Sequence, residues 1–334
     1  MTALRHLRAS AALAAVLLAA LAGCDHNTDV AGPNLTDRFG DFNVLDTLTA
    51  SRATVDFAAG QTVTFAARFN KQVNWVIRIT GRRSGAVKRI EGFSNEITAE
   101  NAVWEGRTTE LPLFRAEPVD AVLLIPAERF DTTRATVTVV APRVYPGNVV
   151  ADFESTVGIT VGNFEFELQN SGVSTEVPAG QGTSFYLLRG TDRNVRNFFV
   201  GLIDLRPRGG TPYFPVPTSV PENLYFNMFI RGLGTDYTIA VVQLIADANG
   251  NGVFNDGVDT VLPYGDIPVN FTGWRLFSKP VSQIGGGLTQ AQAQQIVAVR
   301  VLLISDNNAQ PNPPLQVAYG IDYLTFTAGG PLQL

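Results

Sequence analysis

From Phe42 onward the chain alternates apolar and polar residues in short runs, the pattern of half-buried strands. Thr62-Val63-Thr64-Phe65-Ala66, Val73-Asn74-Trp75-Val76-Ile77-Arg78-Ile79, Ala121-Val122-Leu123-Leu124-Ile125 and Thr136-Val137-Thr138-Val139-Val140 are such runs. Turn residues separate them at intervals of about ten, the spacing of a β-sandwich. No segment of this half keeps a helical period, so residues 41–141 are expected to form one sandwich. Ala141-Pro142-Arg143-Val144-Tyr145-Pro146-Gly147 holds two prolines and a glycine, which interrupt any ladder, and 142–147 is expected to be a hinge. Residues 148–334 carry longer apolar runs, at 224–230 and 238–245, with wide Pro/Gly loops between them. Long strands with elaborate loops suggest a jelly roll. The one helical candidate is 288–295, with Thr289 as N-cap before a Gln/Ala-rich stretch. Trp75, Trp104 and Trp274 are assigned to cores, not to ligand platforms.

The N-terminus has a different pattern. Arg5, His6 and Arg8 precede an uncharged run of 14 residues from Ala9 to Ala22, too short to span a bilayer at about 20 residues but suited to a signal-peptide core. The run ends in Leu21-Ala22-Gly23-Cys24, which resembles the lipobox of bacterial lipoproteins. The resemblance implies that residues 1–23 are removed, that Cys24 carries the lipid, and that the protein is anchored without a transmembrane helix, since two or more acyl chains hold where one would be marginal. Residues 24–40 have little apolar content and no period, so they are expected to form a flexible tether. The expected location is the outer membrane, at the cell surface, with the periplasmic face left open.

Composition narrows the chemistry. The 334 residues include 25 Lys plus Arg and 30 Asp plus Glu. Removal of 1–23 leaves 23 basic residues against 30 acidic ones, a net charge of −7, which disfavours nucleic acid. The histidines are His6 and His26 and the single cysteine is Cys24. Beyond Asn27 the chain thus lacks the side chains that usually build zinc sites, Ser-His-Asp triads, cysteine nucleophiles and disulfides.

Asp152-Phe153-Glu154, Phe185-Tyr186-Leu187, Thr272-Gly273-Trp274-Arg275-Leu276-Phe277-Ser278, the run 296–304 and Gly320-Ile321-Asp322-Tyr323-Leu324-Thr325-Phe326 follow one another in an order that resembles the galactose-binding-like jelly rolls of carbohydrate-binding modules. The order resembles especially those on surface lipoproteins of Gram-negative polysaccharide-utilisation systems. The preceding strands resemble a bacterial immunoglobulin-like domain without its cysteine pair. The expected fold is therefore all-β, an immunoglobulin-like β-sandwich followed by a galactose-binding-like jelly roll. The resemblance implies recognition of polysaccharide or oligosaccharide without catalysis, beside neighbouring outer-membrane uptake proteins. Fold alone does not settle function. A structural or adhesive lipoprotein binding a protein partner is the alternative, and a carboxylate-dependent glycosidase or lyase ranks third.

The sharpest local motif is Asp247-Ala248-Asn249-Gly250-Asn251-Gly252-Val253-Phe254-Asn255-Asp256-Gly257-Val258-Asp259. Oxygen-bearing side chains at positions one, three and five, glycine at six and a backbone carbonyl at seven match the first half of a calcium loop. Asp247, Asn249, Asn251, Val253 and Asn255 are the candidate ligands of a structural calcium, closed by Asp259 or Asp256 because Val258 stands where a bidentate Glu would be. The competing reading is a long hairpin turn. The jelly-roll resemblance implies a second, weaker ion site at Glu154 and Asp322, with Asp152 nearby.

Sugars need flat apolar faces and a few fixed polar groups. Gly209-Gly210-Thr211-Pro212-Tyr213-Phe214-Pro215-Val216-Pro217 offers two adjacent aromatics on a proline-stiffened loop, so Tyr213 and Phe214 are the leading platform candidates, followed by Tyr264. Arg189, Asp192 and Arg208 are candidate hydroxyl partners. Glu165 and Glu167 share one strand face, which does not flank a glycosidic bond from two sides. Arg82-Arg83-Ser84-Gly85-Ala86-Val87-Lys88-Arg89 reads as a solvated basic hairpin tip, with anionic lipid or acidic glycan as its functional reading. Gly285-Gly286-Gly287 lacks the ending of a phosphate loop.

Overall fold

The computed structural model describes residues 40–162, 168–192, 199–235, 237–285, 287–305 and 315–334. Cys24, the signal segment, the tether, Glu165 and Glu167 lie outside them, as does the side chain of Asp192. Asn43–Leu334 is one compact unit. Among the described residues no helix is long and apolar enough to cross a membrane.

The first part comprises β1 (Val44–Ala50), β2 (Thr54–Asp56), β3 (Val63–Gly81), β4 (Val87–Ile97), β5 (Val103–Trp104), β6 (Glu117–Leu124) and β7 (Arg134–Ala141). They form a seven-stranded sheet in the order β1-β3-β6-β7-β2, with β4 and β5 also on β3. β3, 19 residues long, pairs with β1 near its start, with β6 near its end, and with β4 on its other edge. β2 runs parallel to β7 while the other pairings are antiparallel. Strand alternation places Trp75, Ile77 and Ile79 inside with Val119, Ala121 and Leu123. Trp104 is fully buried between the edges of Phe57 and Phe114, so the polar residues beside it in sequence misstate its surroundings.

The second part comprises β8 (Asn148–Ala151), β9 (Ile159–Gly162), β10 (Gly172–Ser174), β11 (Phe185–Asp192), β12 (Phe199–Leu205), β13 (Leu224–Leu233), β14 (Thr238–Ala246), β15 (Thr260–Pro268), β16 (Thr272–Pro280), β17 (Ile296–Ser305) and β18 (Leu315–Ala328). β10-β11-β18-β13-β16, with β8 on β18, form one antiparallel sheet, and β15-β14-β17-β12-β9 form the other. Between the two sheets lies a continuous core that includes Phe226, Val242, Val301, Tyr319 and Phe326. The architecture is all-β, as its alternation requires. The helix α1 (Gln290–Ala293) is a single turn, shorter than expected, but Thr289 caps it in a capping box with Gln292.

The first and second parts are packed against each other. Leu113 N–H donates to Gly180 O at 2.8 Å, Arg115 Nη1 donates to Gly182 O at 3.2 Å, and Leu113 and Tyr145 join Phe229, Tyr323 and Leu332 in one apolar cluster. Tyr145, within the segment between β7 and β8, is thereby buried.

Candidate functional site

β12 ends at Leu205 on the inner face, and the chain turns out at Arg206 into the loop that carries Tyr213 and Phe214. β14 ends at Ala246 and opens directly into the Asp247 loop, which returns as β15 at Thr260. These two loops meet. Gly252, at φ 73°, has room only for hydrogen against Pro212, since a Cβ would stand 2.8 Å from that ring.

The Asp247 loop is wound around its own oxygens. Asp247 Oδ1 accepts from the N–H groups of Asn249 and Gly250 at 3.1 and 2.8 Å, and Oδ2 from Gly252 N–H at 2.7 Å and the Tyr213 hydroxyl at 2.8 Å. Asp259 accepts from Ala248 N–H at 3.0 Å and Asn255 N–H at 2.6 Å. Asn249 Oδ1 caps Asn251 N–H, Asn251 Oδ1 caps Val253 N–H, and both amides donate to Asn255 Oδ1. Burial pushes the Asp247 carboxyl upward, but the donors, led by Gly252 N–H and the Tyr213 hydroxyl, hold it below the usual range. Asp259 thus closes the loop, while Asp256 faces Arg300 at 3.6 Å.

Among the described residues no three His, Cys, Asp or Glu form a metal cluster. The loop's oxygen-bearing side chains are instead two carboxylates and three carboxamides, all hard oxygens. That set fits calcium, which takes six to eight oxygens in a flexible shell.

Glu154 and Asp322 also come together. Glu154 accepts from the Thr183 and Ser184 N–H groups at 2.8 and 3.0 Å and from the Thr183 hydroxyl at 2.5 Å. Gly182, at φ 64°, makes room, since a Cβ there would be 2.4 Å from Glu154 Oε1. Asp322 is fully buried and accepts from Gln181 and Tyr323 N–H, both at 2.7 Å. Its pKa is driven well above the carboxylate range by burial, reinforced by the charges of Glu154 and Asp152. Gln181 Oε1 is buried beside them without a partner. A buried carboxylate, a second acid and an orphaned amide oxygen are a donor set that a hard cation would satisfy.

The expected sugar platform is not formed as a pair. Phe214 is 4% exposed and belongs to the core between the sheets. Successive side chains on extended backbone point in opposite directions, so burying Phe214 turns Tyr213 outward, where it packs on Ile245, Val297 and Ala298 and clamps Asp247. Tyr264 is also no platform. It stacks on Phe226 and meets Phe277 edge-on, with its hydroxyl buried and unpartnered, because on β15 it shares the inward parity of Leu262. Arg189 pairs with Glu176 at 2.9 Å on the opposite sheet, and Arg208 is tied to Ser155 O at 3.1 Å and Asp152 at 3.8 Å. Neither joins Tyr213. Trp274 is half-buried, donates to Pro178 O and packs edge-on to Phe185.

Arg206, Phe254 and Arg300, which do converge, are residues the sequence reading did not single out. A cleft of ≈ 350 Å³ opens between the two loops, lined by Arg206, Thr211, Pro212, Val253, Phe254 and Val297 among others. Arg206 lies 4.0 Å over the Phe254 ring and Arg300 lies 5.3 Å from the same ring. Arg300 is held by Asp204 at 2.7 and 3.1 Å, directly across from it in the ladder. Arg206 reaches the same carboxylate at 3.4 Å, and its Nη1 is buried without a partner. Burial lowers the Arg206 pKa. The available signal was Phe254 itself, the one aromatic inside the Asp/Asn/Gly loop.

No family model matches the chain, and no curated protein does. Solved structures resemble it at low identity and low TM-score. SGBP-B from a complex xyloglucan utilisation locus in Bacteroides uniformis is 14% identical, with a TM-score of 0.38, over 86% of this chain and 73% of that one. A family 30 carbohydrate-binding module of a Clostridium thermocellum cellulosomal cellulase is 16% identical, with a TM-score of 0.38, over 55% of this chain and 98% of that one. A family 11 module from Clostridium thermocellum, in complex with a mixed-linked tetrasaccharide, is 12% identical, with a TM-score of 0.34, over 56% and 98%. The likeness is one of β-sandwich architecture and assigns no role to any residue here.

Proposed function

We propose that this protein is a lipid-anchored, non-catalytic surface protein that binds extracellular polysaccharide in the cleft between the 206–218 and 247–259 loops. The observation that carries the reading is the ≈ 350 Å³ cleft between the two loops, walled by Phe254 with the Arg206 guanidinium stacked 4.0 Å over its ring. A pyranose presents a C–H face and a rim of hydroxyls, which is the complement of that pair. The absence of His and Cys after Cys24 and His26 in the sequence supports binding without chemistry. Neighbouring outer-membrane uptake proteins are the proposed partners, and Cys24 the proposed lipid site.

Calcium is proposed at two places. Asp247, Asn249, Asn251, Asn255, Asp259 and the Val253 carbonyl would hold one ion, and Glu154, Asp322 and Gln181 another. When bound, the ion neutralises carboxylates and ties loop to strand. This chain's residues do the positioning: the Asp247 loop sets Phe254 over the sheet, and Tyr213 braces the loop from the other side. Affinity electrophoresis through gels containing native polysaccharides tests the reading, with retardation in one polymer class and no release of reducing sugar as the expected result.

A further inference from the structure

The register of the first sheet sets like charges beside one another. Arg89 on β4 stands directly opposite Arg78 on β3, Arg78 opposite Val122 on β6, and Val122 opposite Arg134 on β7. Opposed residues share a face, and Ile77, Leu123, Ala121 and Val137 fill the core side. Arg89, Arg78 and Arg134 therefore form one row on the outer face, and all three are exposed. Like charges directly opposite destabilise a strand pair, so the row has a local cost. The nearby acids offset it only in part, with Asp120 also acting on Arg134. Asp120 is engaged by Arg82 at 2.8 and 2.9 Å, Glu91 approaches Arg89 only to 4.0 Å, and neither Arg78 nor Arg134 is held in an ion pair among the described residues.

The same face carries an apolar group. Phe93 lies on β4 with the parity of Arg89 and Glu91, and it is 63% exposed. Guanidinium groups match phosphate oxygens in bidentate geometry, and aromatic rings settle at the boundary between headgroups and acyl chains.

We propose that this face docks on an anionic phospholipid surface, with Arg78, Arg89 and Arg134 on lipid phosphates and Phe93 entering the headgroup layer. A soluble polyuronate would satisfy the arginines and offer Phe93 a pyranose face, so the choice of the membrane rests on proximity. The proposal takes only proximity from the lipoprotein reading: the 16 residues from Asp25 to Gly40 reach at most about 55 Å when fully extended. A face of the first sheet is then within range of the bilayer.

The test uses residues 40–334, which contain the whole compact unit and lack Cys24, with a cooperative melting transition as the control for folding. The fragment should co-sediment with vesicles of phosphatidylcholine mixed with phosphatidylglycerol, not with phosphatidylcholine alone, and should be released by high salt. Arg78→Glu, Arg134→Glu and Phe93→Ser should each lower the partition coefficient about fivefold or more, with little change in melting temperature. Failure of the wild-type fragment to bind anionic vesicles, or equal binding by the three variants, would overturn the proposal. So would retention on polygalacturonate without vesicle binding, which would assign the face to acidic glycan. Acyl labelling of Cys24 in cells and polysaccharide retention by the same fragment are separate readouts, so loss of either earlier reading is seen independently.

Discussion

The guanidinium of Arg206 lies 4.0 Å over the ring of Phe254, joining the end of a sheet strand to the middle of an Asp/Asn-rich loop. The contact depends on both neighbours of Phe254 in space, because Asp204 anchors Arg206 and Arg300 from below while the hydrogen bonds around Asp247 fix the loop from the side. Binding and loop order are therefore coupled.

Replacing Phe254 with Ala should reduce polysaccharide retention at least tenfold, the loss expected when the aromatic wall of the cleft and the surface that holds Arg206 are removed. Arg206→Ala should weaken retention by a similar factor, and Arg206→Lys should restore only part of it because an ammonium does not reproduce the planar fork. Phe214→Ala, by contrast, should lower stability by about 3–5 kcal/mol as a core truncation, read by chemical denaturation.

Calcium should raise the melting temperature of the 40–334 fragment. At a free concentration a hundredfold above Kd the linkage is about 2.7 kcal/mol, or a rise of roughly 4–5 °C for a unit of this size. Asp247→Ala with Asp259→Ala should remove the share due to the loop, and Asp322→Ala the share due to the second site. Differential scanning calorimetry with calcium and with chelator separates the two.

Tyr213→Phe deletes the hydroxyl that donates to Asp247 Oδ2 and leaves the packing on Val297 and Ala298 in place. The variant should retain its fold and show faster hydrogen exchange at Gly250 and Gly252, whose amides bond the same carboxylate. Unchanged protection would mean that Tyr213 does not brace the loop.

Burial raises the Tyr145 pKa to about 12. Because the folded value lies above the unfolded value near 10, the neutral phenol's contribution is complete below pH 10 and is lost as the pH rises toward 12. The hydroxyl has no hydrogen-bond partner, so Tyr145→Phe should cost little at neutral pH and should remove roughly 2–3 kcal/mol of alkaline destabilisation. Urea unfolding at pH 8 and pH 11.5 measures both effects.

Much of the fold was legible because its determinants are local. The parity of Val73 to Ile79 places Trp75 inside, and Thr289 before a Gln/Ala-rich stretch announces a helix start, to which the structure adds a capping box with Gln292. The Asp247 loop was legible for the same reason, since glycines and short oxygen-bearing side chains specify its turns. The aromatic positions were not, because a tyrosine in a Pro/Gly loop reads the same whether it faces solvent, as expected of Tyr213 and Phe214, or packs inward, as Phe214 does. Tyr264 beside Pro263 looked like a loop residue and is part of a strand. Arg206 and Phe254 are 48 positions apart, and only the meeting of two loops brings them into contact.

The most direct test is retention of the 40–334 fragment on a panel of native polysaccharides, run in calcium and in chelator beside the Arg206→Ala/Phe254→Ala double variant. Retention of the wild type by one polymer class, weakened by chelator and abolished in the folded double variant, is the predicted result. Undiminished retention of the double variant, or no retention of a folded wild type by any polymer, would contradict the assignment of the cleft.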